Sequence, residues 1–338
     1  MYLLLCISLG GSSQNNFRIS KKYYRTINKA ELSICRNNLE KASVFYSKAF
    51  KHNSCPFSLD IYNCFLLNMM INKDSVLINS CLRILAERGY EMIIYKRYFG
   101  SKTDIFPGFS KIDTSIFRYT PVKTQEKKIL DFFLSEDQRL RNLAYENMPP
   151  DSDVSNLSLY IDLRDTLPYF DSMNLNSIAL IKYMERSFPN ECVGKLNFNP
   201  TGFPLYMIIF MHFSEWGLHP HYDSLLYEKT FTGEFHPEWY QFLYYDRKSI
   251  SGTEWKDLYG YPIEYITYDD DPNRRDFSTK DVYSGKKLRQ INKNRKKLNL
   301  ESYQDYLIKS KFEFDSNRFR LTYNRNVAFQ WPTECINK

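Results

Sequence analysis

The residues of this chain best placed to do chemistry are Asp137, Gln138 and Arg141, inside the run Glu136-Asp137-Gln138-Arg139-Leu140-Arg141. On a helix, Asp137 and Arg141 stand four apart on one face and can pair. If the fold gathered Asp171, His212 and the Asp246-Arg247 pair around them, a pocket would result. Its carboxylate could act as a general base, or its guanidinium could hold an anionic ligand. The same residues also make a buried ion-pair network that fixes how helices pack, with arginine favoured because its planar fork satisfies several acceptors. The balance tilts toward the network.

Other chemistries find less support. His219 and His221 flank Pro220, with His212, Glu215 and Asp223 nearby, but an H-x-H in a loop without an H-E-x-x-H pattern assigns no metal. No G-x-S-x-G elbow occurs, Cys192 has no activating charge pattern, and the glycines form no phosphate-binding loop, so no cofactor is assigned. The basic cluster Lys286, Lys287, Arg289, Lys293, Arg295, Lys296 and Lys297 reads as a solvated helix face, and nucleic acid is not expected as a partner.

The polar run sits in a helical stretch from Gln125 to Asn147, stopped by Pro149-Pro150. Before it, apolar residues recur at three- and four-residue intervals from Lys29 to about Tyr98: Leu39, Ala42, Tyr46, Ala49 and Phe50, then Ile61, Phe65, Leu66 and Met69. A further helix starts at the N-cap Asp74 and runs to Gly89. The pattern from Leu39 to Asn63 resembles a tetratricopeptide repeat, in which small alanines allow close packing and aromatics fill the gap to the next helix. An irregular connector, 99–122, carries Gly100, Pro107, Gly108 and Pro121.

After the polar run, Asp171 can N-cap a helix ending near Phe188-Pro189. Pro204 to Phe213 reads as a buried helix or a central strand, with its length and methionines favouring helix, His221 to Thr232 as a short helix stopped by Gly233, and Pro237 to Tyr245 as another. Tyr259 to Ser284 reads as loop, with Asp269-Asp270-Asp271 beside Arg274-Arg275. A final helix follows near Leu300 to Lys311, and alternation over Arg318 to Val327 permits a short strand.

Composition bounds the class. The chain has 338 residues, enough for two cores, and a 43% hydrophobic fraction typical of globular proteins. Tyr (27) and Phe (25) far outnumber Gly (12), which argues for a packed aromatic interior rather than disorder. A net charge of +7 is too weak over this length to imply a polyanionic partner by itself. The seven cysteines include no C-x-x-C pair; those at 35, 55, 64 and 81 fall in the helical segment, where a cysteine behaves as a small buried hydrophobe. The apolar run Tyr2 to Leu9, followed by Gly10-Gly11-Ser12-Ser13, reads as a truncated signal-peptide remnant over 1–14, too short to span a bilayer.

The serial order of features resembles a known group. A tetratricopeptide-like pair is followed by Asp137-Gln138-x-x-Arg141, Asp171 with Asn174, Phe188-Pro189-Asn190-Glu191 with Val193-Gly194, His212, Gly233-Glu234, Asp246-Arg247 and Tyr259-Gly260. This order is similar to an uncharacterised Bacteroidota family built on a domain of unknown function of the 6624 type, over roughly Lys29 to Lys311. The resemblance implies a fold and an exported or cell-envelope setting, and no reaction.

The expectation is a mainly α protein, with tetratricopeptide-like helical hairpins over 29–98, the connector, a helical domain with minor β structure over 123–311, and an extension over 312–338. Its expected role is an exported, non-enzymatic scaffold for a protein or peptide partner, bound in a groove formed by Tyr46, Tyr62 and Asn63. The rival is a hydrolase-like or ligand-binding domain centred on Asp137, Arg141, Asp171 and His212. A periplasmic location follows from the first reading, a cytoplasmic one if the leader reading fails.

Overall fold

The computed structural model describes residues 21–53, 56–88, 106–119, 124–147, 169–186, 209, 220–241, 258–260, 264–268, 271–278, 283–316 and 319–322. These residues are mainly helical. In chain order the helices are α1 (Lys21–Cys35), α2 (Leu39–Phe50), α3 (Ser58–Met70), α4 (Ser75–Glu87), α5 (Ile116–Tyr119), α6 (Thr124–Glu146), α7 (Phe170–Arg186), α8 (Pro220–Thr232), α9 (Gly285–Lys297) and α10 (Tyr303–Ser316). A 3-10 turn, Pro107–Lys111, precedes α5, and one antiparallel hairpin joins β1 (Glu264–Tyr268) to β2 (Asp271–Ser278).

The first four helices form two packed hairpins, α1 with α2 and α3 with α4. Helix α1 begins well before the Lys29 expected from the sequence. It buries Tyr23, Ile27, Ala30 and Ile34, a stripe at four- and three-residue spacing, against α2, whose Ala42, Tyr46 and Ala49 are fully buried. The small residues let the two backbones approach, and the rings of Tyr23 and Tyr24 pack around Phe57 ahead of α3.

Short asparagine turns set these hairpins. Asn37 (φ 56°) and Asn72 (φ 52°) adopt the left-handed conformation just past α1 and α3, and Asn299 (φ 62°) does so past α9. The next residue donates back across the helix end in each case: Asn38 to Ser33, Lys73 to Asn68 and Leu300 to Arg295. This six-to-one bond satisfies carbonyls the helix leaves unpaired, and asparagine tolerates the conformation better than other side chains apart from glycine. Helix α4 starts as its sequence dictates, with Asp74 accepting from the Val76 N–H at 2.7 Å.

The connector is tied to the helices it follows. Lys111 Nζ donates to the Asn72 and Lys73 carbonyls at 2.9 and 3.0 Å, and Asn79 bridges the Lys111 carbonyl and the Asp113 N–H. Gly108 lies so close to α3 that a Cβ there would stand 2.9 Å from the Met69 backbone.

The chain divides into two compact units, one of 1–120, 197–202 and 257–338, the other of 121–196 and 203–256. The sequence places 285–311 in the second domain, whereas α9 and α10 belong to the first unit, where α10 packs on α1 and α9 packs on α10. In the second unit α6 packs on α7, and Gly233 (φ 77°) ends α8 at the expected residue. Beyond it, Phe235 and Trp239 are buried with ring centroids 5.7 Å apart.

Two local expectations change. The stretch expected as loop holds the β1–β2 hairpin, paired from Glu264 with Ser278 to Tyr268 with Asp271. Glu264-Tyr265-Ile266-Thr267-Tyr268 is rich in strand formers and is followed in sequence by Asp269-Asp270-Asp271, a strand signal outweighed by these charges. Phe319 to Thr322, within the strand expected over Arg318 to Val327, belong to no strand, and the rest of that expectation lies outside the described residues.

Candidate functional site

Helix α6 positions the polar run. Asp137 and Arg141 are both buried, with Arg141 Nε 3.3 Å from Asp137 Oδ2. Exposed Gln138 donates to the same oxygen from Nε2 at 3.1 Å. Helix α7 is fastened alongside by Asn176 Nδ2, which donates to the Phe133 carbonyl at 3.0 Å, and by Phe133 against Tyr183. Glu136 and Arg139 form a separate two-point pair on the outer face, 2.9 and 2.6 Å, and the Arg139 hydrogen bond holds the Glu136 carboxyl below its ordinary range.

This geometry joins Asp137, Gln138 and Arg141 and leaves Asp171 apart. Asp171 is exposed in the first turn of α7, a place suited to its charge, and not at the N-cap expected for it. His212, Asp246 and Arg247 lie outside the described residues. The ion pair of Asp137 and Arg141 joins successive turns of α6 itself.

The groove residues lie in the interior. Tyr46, Tyr62 and Asn63 are buried, and Asn63 spans to the far end of the chain, donating to the Arg320 carbonyl and accepting the Arg320 N–H at 3.1 Å. They pack the module and do not line an open groove.

The larger polar assembly of the described residues involves side chains the sequence did not single out. Lys309 of α10 reaches Glu31 of α1 and Glu301, each at 2.9 Å, and Arg295 of α9 lies 3.5 Å from Glu301, with all four side chains buried. Arg295 Nε also donates to the Glu301 carbonyl at 2.7 Å, Nη1 to the Tyr259 carbonyl at 3.0 Å, and its plane lies 5.0 Å from the Tyr306 ring. Nearby, the Tyr23 hydroxyl donates to buried Asp60 and accepts the Phe57 N–H at 3.1 Å.

Burial pushes the Glu31 carboxyl up to about 8 against the pull of Lys309, with Asp60 and Glu301 adding repulsion. The two cations draw Glu301 below its ordinary range despite its burial. Lys309 thus lies between Glu31 and Glu301, with Arg295 as a second cation beside Glu301, and burial favours the neutral form of Glu31. Further along α10, burial raises Glu313 to about 7; its carboxylate accepts from the Leu321 N–H at 2.7 Å and from the Thr322 hydroxyl, fastening 319–322 to the helix.

A signal for these residues was present. Glu31 falls four after Ile27, on the face that the apolar period of α1 assigns to the interior, and Lys309 falls among buried Tyr306, Ser310 and Glu313. A charge at a core position demands a partner, though not one that can be named from the sequence.

The described cysteines 35, 64 and 81 are free thiols, and Cys64 and Cys81 face each other across α3 and α4 with sulfurs 3.9 Å apart. No group of metal-ligating side chains occurs among the described residues, and no helix there is long and apolar enough to cross a membrane. Comparison with protein-family models, curated proteins and solved structures finds no match.

Proposed function

We propose that this chain is an exported helical scaffold that binds a protein or peptide partner through a tetratricopeptide-like module. What carries the reading is the succession of packed antiparallel hairpins, α1 with α2 and α3 with α4, built on small residues and aromatics. Its binding surface is not the Tyr46, Tyr62 and Asn63 interior but the outer faces of the hairpins, where Val44 of α2 and Val76 of α4 are 65% and 59% exposed. The leader-like 1–14 and the Bacteroidota-type motif order support a periplasmic or cell-envelope location. The ligand-pocket alternative would need Arg141 available to an anion; its guanidinium is buried and pairs with Asp137 through Nε.

The test is a photo-crosslinking residue placed at Val44, at Val76 and, for comparison, at exposed Glu146 in the full chain produced in cells. A discrete protein adduct at Val44 or Val76 and none at Glu146, re-formed with the purified partner, is the expected result. Failure of both module positions to capture any protein would remove the reading.

A further inference from the structure

Two cationic helix faces, far apart in sequence, are brought to one end of α10. On α1 the exposed charges are Lys21, Lys22, Arg25 and Lys29, and the one acid of that helix, Glu31, is buried. On α9 they are Lys286, Lys287, Arg289, Lys293, Lys296 and Lys297, and that helix has no acid at all. The juxtaposition is fixed by two hydrogen bonds to consecutive residues of α10. Asn28, beside Lys29, donates to Asp305 at 2.9 Å, and Asn292, beside Lys293, donates to Gln304 at 2.9 Å. Among the described residues none of the four α1 cations has an ion pair, nor have Lys286, Arg289, Lys293, Lys296 and Lys297; Lys287 lies over the Tyr283 ring at 4.8 Å.

The internal acids explain why this surface stays uncompensated. Glu31 and Glu301, the carboxylates on or beside these helices, are turned inward onto Lys309 and Arg295, and Asp305 accepts from Asn28. One turn beyond Gln304, on α10 itself, Ile308 is 46% exposed. The surface is therefore two rows of cations with an apolar side chain on the helix between them.

We infer that this face of the first unit docks an acidic protein segment that also carries an apolar side chain. The inference rests on the partner-binding reading and names the partner's chemistry. Charge complementarity selects an anion, and three features select a polypeptide. Eight of the ten cations are lysines, which lack the forked geometry that favours arginine for phosphate. The aromatics of α1, Tyr23 and Tyr24, and Tyr283 just ahead of α9 are buried and cannot stack on bases. The apolar side of α9, Ile291 with Leu298, is already in the core and cannot enter a bilayer, whereas Ile308 offers a contact that one apolar residue of a peptide can use.

Full-length protein is titrated, by fluorescence anisotropy or light scattering, with a labelled peptide of alternating glutamate and leucine, with a generic DNA duplex, and with vesicles containing phosphatidylserine. The peptide is expected to bind, with affinity falling on the order of tenfold between low and physiological salt. Lys29→Glu with Lys293→Glu should weaken it by at least about tenfold, and Ile308→Ser by a few-fold. The charge-matched control, Lys48→Glu with Lys128→Glu, should change it less than about twofold, with unchanged thermal unfolding confirming the fold of each variant. Tighter binding to duplex or to vesicles than to the peptide overturns the inference, as does no binding to any probe or equal loss in the control. If the peptide fails while Val44 or Val76 still captures a partner, this surface is wrong and the scaffold reading stands.

Discussion

Lys309 holds two carboxylates, Glu31 and Glu301, that would otherwise face each other in the interior. Lys309→Met removes that cation while keeping the volume. Breaking one side of a buried pair typically costs about 3 to 5 kcal/mol, because the partner charge stays behind. Chemical denaturation should register a loss of that order. Adding Glu31→Leu should restore part of it, the non-additivity expected of residues in one network. Arg141→Met is the counterpart in the second unit: Asp137 is left buried without its guanidinium, so a comparable loss of stability is expected, and an unchanged denaturation midpoint would show that the pair is not structural. Asp137 with Arg141 was visible in the sequence because helix spacing alone pairs them. Glu31 with Lys309 was not, since 278 residues separate its members.

At the scale of elements, close approach and turn chemistry set how the helices meet. Gly108 has no room for a side chain against α3, so Gly108→Ala must shift either the 3-10 turn or the Met69 backbone. A cost of roughly 1 to 3 kcal/mol follows, read as a lower thermal midpoint. Asn72 turns the chain between α3 and α4 in the left-handed conformation. Asn72→Gly should leave stability equal or raise it by a few tenths of a kcal/mol, and Asn72→Ala should lower it by on the order of 1 kcal/mol. The opposite order in calorimetry would show that the Asn72 side chain, and not its backbone, secures the turn. The helices α2, α3, α4, α6 and α8 were legible through periodicity and caps. Helix α1 has the same periodicity but was masked by its basic start, and the β1–β2 hairpin by its charges.

For the whole molecule, the buried carboxylates make folding depend on pH. Glu31 titrates near 8 and Glu313 near 7 in the fold, against an ordinary glutamate value of 4.5, because burial disfavours their charge. Between that ordinary value and the folded ones, the native state keeps protons that the unfolded chain has released. Stability is therefore greatest near the lower end and falls as pH rises to about 8, by on the order of a few kcal/mol. Glu301, lowered in the fold, acts oppositely and withdraws stability as pH falls below the ordinary carboxylate range. Thermal unfolding should give a higher midpoint at pH 5.5 than at 8.5; a midpoint that rises across that interval would show that Glu31 and Glu313 are ionised throughout.

A helical protein with an aromatic interior, most of its helices and the local Asp137–Arg141 pair were all legible in the amino-acid order. These depend on periods of three and four residues and on caps that act within one turn. Tertiary packing set the rest: α10 lies on α1 and α9 on α10, Tyr46, Tyr62 and Asn63 lie inside, and Asn28 of α1 and Asn292 of α9 meet consecutive residues of α10. Those outcomes depend on which buried charge finds which partner across the chain, and no local pattern specifies that choice.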